Sequence, residues 1–142
     1  MGSEMCIRDR INWYFDKLVL KSFEQIGVSH TIRESLTQKL EFIQEEKAFF
    51  TEAFRSDDRN SVKEHDFELI LQFYKDLIAR RTSRPLGEEL QFLLEMYCQG
   101  SVYMTVKWIL TGMKDTPEAM AVKLVEAMPP KLAKVMEELG LV

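Results

Sequence analysis

Apolar residues return along this chain at spacings of three and four, the period of an α-helix seen from one side. From Ile11 to Ile26 the stripe is Tyr14, Phe15, Leu18 and Val19, and Gly27 stands where a helix closes on a left-handed residue. Thr31-Ile32-Arg33-Glu34 reads as a capping box, in which the first and fourth side chains bind each other's backbone N–H. It opens a helix with a stripe at Ile32, Leu36, Leu40 and Ile43, and the pattern breaks around Gln44 to Lys47. A short aromatic helix with Phe49, Phe50 and Phe54 follows, then a polar loop from Ser56 to Asn60. Ser61-Val62-Lys63-Glu64 reads as a second capping box. The next helix carries Phe67, Ile70, Leu71, Tyr74, Leu77 and Ile78 and ends in Arg80-Arg81, where positive charge suits the dipole. Pro85 lies just beyond.

The segment from Leu86 to Gly112 differs. Between Leu90 and Met113 only Glu95 and Lys107 are charged. Leu90, Leu93, Tyr97, Gly100, Met104 and Trp108 form one stripe; Phe92, Met96, Tyr103, Val106 and Leu110 form another. A helix apolar on two faces must be covered on two sides, one by its own core and one by a partner. Thr116-Pro117-Glu118 then supplies an N-cap with proline at the first helical position, and Met120, Leu124, Val125 and Met128 give the apolar face. Pro129-Pro130 breaks that helix, and a short one from Pro130 to Leu139 ends at Gly140. No segment alternates with the period of a strand. The pattern predicts an all-α bundle of about five to seven helices.

Length and composition agree with one such domain. The chain has 142 residues, 46% hydrophobic and 30% charged, enough to build a core. Its net charge of -4 argues against a general nucleic-acid binder, which needs a basic face. The longest uncharged stretch, Met96 to Val106, is too short and too polar for a membrane span. Cys6 and Cys98 make neither a disulfide framework nor a metal site, and with no signal peptide the expected compartment is a reducing cytoplasm.

Residues 1–10 stand apart. All ten codons can match a transposase-based sequencing adapter in one frame, with GTG read as the start. The segment is expected to be a non-native tail, leaving residues 11–142 as the domain, beginning inside a helical pattern and truncated at its N-terminal side.

Chemistry is sparse. The scattered glycines build no phosphate loop, and there is no strand–Ser–helix elbow. Cys98 lies on the most apolar helix and is expected to pack as a small hydrophobe. His65 stands near Asp57, Asp58, Glu64 and Asp66, but those acids serve capping and dipole roles equally well. No catalytic residue, metal ligand or cofactor is assigned. The anomaly is aromatic: Phe, Trp and Tyr reach 11%, with eight methionines besides. This surplus predicts an apolar ligand cavity between the Phe67–Ile78 helix and the Leu86–Gly112 helix, with Phe73, Tyr74, Met96, Tyr97 and Trp108 as its candidates and the two tyrosines as polar handles. The two-faced helix predicts a homodimer built as a four-helix bundle, with Tyr103, Val106, Leu110, Met120, Leu124 and Met128 at or near the boundary.

A resemblance sharpens this. Phe92-Leu93-Leu94-Glu95-Met96-Tyr97-Cys98-Gln99-Gly100, Trp108-Ile109-Leu110-Thr111-Gly112 and Thr116-Pro117-Glu118 resemble the regulatory domain of TetR-family transcriptional regulators, especially a subgroup common in Firmicutes. Ile11-Asn12-Trp13 is similar to the stretch that follows the family's helix-turn-helix, and Glu45-Glu46-Lys47-Ala48-Phe49-Phe50 to a later segment, with Glu46 departing from the usual Asn. The resemblance implies an all-helical regulatory domain that dimerises through its last two long helices and responds to a small apolar effector or a protein co-activator. It places operator binding in an N-terminal unit absent from this chain. The alternatives are a stand-alone helical interaction module acting as adaptor or co-regulator, and a small helical enzyme, for which no acid–base pair can be assigned.

Overall fold

The computed structural model describes residues 6–142, apart from the side chains of residues 7, 8 and 18–20. Residues 1–5 of the adapter-like segment, and the side chains of Leu18 and Val19 in the first stripe, therefore lie outside the described residues. Seven α-helices and no strand occur among those described: α1 (Ile7–Leu18), α2 (Ile32–Glu45), α3 (Lys47–Arg55), α4 (Arg59–Thr82), α5 (Glu88–Leu110), α6 (Pro117–Glu126) and α7 (Pro130–Glu138). The fold is the all-α bundle that the apolar spacing predicts.

Local signals set most boundaries. The Thr31 hydroxyl accepts from the Glu34 N–H at 3.2 Å while the Glu34 carboxylate accepts from the Thr31 N–H at 3.0 Å, completing the expected box. Thr116 caps α6 by accepting from the Ala119 N–H at 3.1 Å, with Pro117 in the first turn. Two expectations are corrected. The first helix does not run on to Ile26 as an α-helix: after Leu18 it widens into a π-helical stretch, Val19–Phe23, which turns Ser22 and Phe23 inward. The second capping box does not form. Ser56 donates to the Ala53 carbonyl at 2.7 Å and accepts from the Asp58 N–H at 3.3 Å, so the chain turns within residues 56–58. Helix α4 then starts at Arg59, which leaves Ser61 and Glu64 inside its first turns.

The turn into α2 is clamped from two distant places. Gly27 has φ +80°, and Arg81 donates to its carbonyl at 2.7 Å. The Ile32 N–H, one of the first of α2, donates to the Leu141 carbonyl at 2.8 Å, and Leu141 is fully buried. Helix α2 packs on α6, α4 lies against α1 and α5, and α3 touches α5. The aromatic surplus goes chiefly into one cluster at the junction of α1, α2 and α3, where Tyr14 meets Phe49 at 5.0 Å and Phe15 meets Phe50 at 5.7 Å between ring centroids. Such edge and tilted pairs stabilise beyond their buried area.

Candidate ligand cavity and exposed helix face

The apolar stripe of α2 carries one charge. Lys39 stands between Leu36 and Leu40 and is only 5% exposed; Asp66 on α4 is 3% exposed. The Lys39 ammonium donates to both Asp66 oxygens, at 3.0 and 3.3 Å. It also lies 5.3 Å from the ring centre of Phe15 and 5.7 Å from that of Phe23, within cation–π range. One buried pair thus joins α1, the π-helical stretch, α2 and α4.

Beside this pair lies a void of about 20 Å³. It is lined by Phe23, by Leu36, Lys39 and Leu40 of α2, by Asp66, Ile70 and Tyr74 of α4, by Tyr97, Ser101, Val102 and Thr105 of α5, and by Leu124 of α6. A space of that size holds one water-sized group. Tyr97 donates its hydroxyl to the Leu124 carbonyl at 2.7 Å, while the Ser101 hydroxyl is buried with no hydrogen-bond partner. Burial holds both tyrosine phenols well above their ordinary range and pushes the neighbouring Cys98 thiol up to about 12. A thiol so raised is not a nucleophile.

The sequence-derived pocket residues are therefore divided. Tyr74 and Tyr97 meet at the void between α4 and α5. Met96 lies outside it, on a surface groove of about 290 Å³ lined by Met96, Tyr97, Gly100, Ser101, Met104, Leu124, Ala127 and Pro129. Phe73 is spent on packing, its ring 5.5 Å from that of Phe23. Trp108 donates its indole N–H to the Asp115 carbonyl at 3.0 Å, which fixes the turn between α5 and α6. The void is also not the apolar chamber expected, since it contains a buried ion pair. Lys39, Asp66, Ser101 and Thr105 were missed. The readable signal was a lysine set within the apolar stripe of α2.

The association residues divide too. Tyr103 is 64% exposed and Leu110 half-buried. Val106, Met120, Leu124 and Met128 are buried within a single chain, because that side of α5 and the packing of α6 on α2 serve the chain's own core. The apolar residues left open on α5 are Phe92 at 63%, Met96 at 61% and Met104 at 45%, which with Tyr103 run along one side of the helix. They are neighbouring apolar side chains open on one helix.

Neither histidine lines the void: His65 pairs with Asp16 at 2.9 Å, and His30 contacts Ser29 and Gln38. Among the described residues no group of three or more His, Cys, Asp or Glu could hold a metal ion, and no helix is long and apolar enough to cross a membrane. No curated protein and no solved structure matches the chain significantly. A TetR family model, described as the transcriptional regulator C-terminal region, matches residues 30–129.

Proposed function

Because the chain belongs to the TetR family of transcriptional regulators, in whose C-terminal region it lies, we propose that it pairs two copies of its parent regulator and couples effector binding to the DNA-binding part. Reading of the operator falls to a helix-turn-helix outside residues 11–142. The observation that carries the pairing is the open apolar face of α5. Phe92, Tyr103 and Leu110 recur at whole turns of the helix and suit an isologous contact with the same helix of a second copy. Tyr103 and Leu110 keep the role read for them in the sequence; Val106, Met120, Leu124 and Met128 support the contact from within each chain.

Sedimentation velocity tests this. We expect a dimer at micromolar concentration, and a folded monomer when Phe92→Asp and Tyr103→Asp are combined, because the charges would be buried without partners. A wild-type monomer at that concentration would sink the pairing.

A second reading, an adaptor module that receives a helix of another protein, is favoured by the size of the void, which admits one water-sized group. The DNA upstream of codon 11 separates the two. A helix-turn-helix encoded there excludes the stand-alone adaptor.

A further inference from the structure

Resting on the effector-binding reading above, we propose that the core void and the surface groove are two halves of one site, for a small uncharged molecule with an apolar body and a terminal hydroxyl or carbonyl group. Tyr97, Ser101 and Leu124 line both spaces, so they are the partition between them. The void, about 20 Å³, takes one oxygen-sized group. The groove, about 290 Å³, takes the apolar remainder against Met96 and Met104. Gly100 leaves it open, since a Cβ there would meet no atom within 4 Å. The partition carries the hydrogen bond from Tyr97 to the Leu124 carbonyl, which must yield when the polar end passes inward.

The charge of the ligand follows from what waits in the void. Lys39 and Asp66 are the charged residues among its lining, and they neutralise each other. A carboxylate would set a second anion beside Asp66, and an ammonium a second cation beside Lys39. Either leaves one buried charge uncompensated, which a low-dielectric interior penalises heavily. A hydroxyl instead accepts from Lys39 and donates to Asp66; a carbonyl accepts from Lys39. The buried Ser101 hydroxyl, which lacks a partner, gives such a group another hydrogen bond. Met96 borders Phe92 and Tyr103 on the same face of α5, so pairing of two copies through them covers one edge of the groove, with Gly100 and Met104 turned further round the helix.

The test uses the full chain with its methionine methyl groups isotopically labelled, titrated with butan-1-ol, butanoate and butylammonium and followed by NMR. Butan-1-ol is expected to move the Met96 and Met104 signals, with the two ions binding about tenfold more weakly. The double substitution Lys39→Met with Asp66→Leu removes the pair without leaving a lone charge and should abolish that preference. Tyr97→Phe keeps the ring, loses the bond to Leu124, and should tighten butan-1-ol binding about fivefold. Equal binding of all three probes to the wild type would overturn recognition by the ion pair while leaving an effector site at the groove. No response at Met96 or Met104 to any probe would overturn the site and the effector reading together. Should the double variant not fold, unchanged affinity in Tyr97→Phe overturns the partition.

Discussion

Arg81 donates to the carbonyl of Gly27 across 2.7 Å, so the last turn of α4 holds the turn that launches α2. That contact requires a residue with no side chain. A Cβ at position 27 would overlap the Arg81 guanidinium and come within 2.9 Å of Leu141, and the backbone there has φ +80°. Gly27→Ala is therefore expected to cost about 1–3 kcal/mol and lower the melting temperature. Gly100→Ala, in an open helix interior, should stabilise by about 0.5–1 kcal/mol. Thermal melts of both variants by circular dichroism check the contrast; equal effects would refute it.

The Lys39–Asp66 pair predicts strong non-additivity. Lys39→Met alone strands a buried carboxylate and should destabilise by about 3–5 kcal/mol, whereas Lys39→Met with Asp66→Leu should lie near the wild type. Urea denaturation of the single and double variants measures this. Additive losses would mean that the pair is not an isolated unit.

Cys98 predicts an alkaline instability. Its folded thiol is raised to about 12, above the ordinary 9.0, because burial penalises the thiolate. Stability from the protonated thiol is complete below pH 9.0 and is lost as pH rises toward the folded value, since the unfolded chain releases its proton first. The slope should be about 1.4 kcal/mol per pH unit for that one proton. Cys98→Ala should remove this part of the decline, with the buried tyrosines contributing at higher pH. In a thiol-labelling assay of the native chain, exposed Cys6 should react at once and Cys98 only after denaturation.

What the sequence revealed depended on how far each signal reaches. Thr31 with Glu34, and Thr116 with Pro117, act within one helical turn, so their caps are readable and form. Ser61-Val62-Lys63-Glu64 has the same letters and no box, because Ser56 tightens the preceding turn and starts α4 earlier. Helical period finds apolar faces but does not say which of two is the chain's own core. Val106 and Leu124 were thus read as boundary residues, though the packing of α6 on α2 and α4 against α5 buries them. The Lys39–Asp66 contact spans α2 and α4, and the sequence marks only its lysine, set within the apolar stripe of α2; nothing local points to Asp66 as its partner. Family likeness carried the fold further than the site, because the motifs that resemble the family are mostly core residues.

The bond between Ile32 and Leu141 has a consequence for how the molecule is made. One end of α2 is closed by a residue near the far end of the sequence. During synthesis α2 can form its cap at Thr31, yet the Ile32 N–H must wait until residue 141 has emerged from the ribosome. Contacts so distant along the chain are also slow to form, because loop closure must precede them. The turn that leads back to α1 therefore reaches its final shape last.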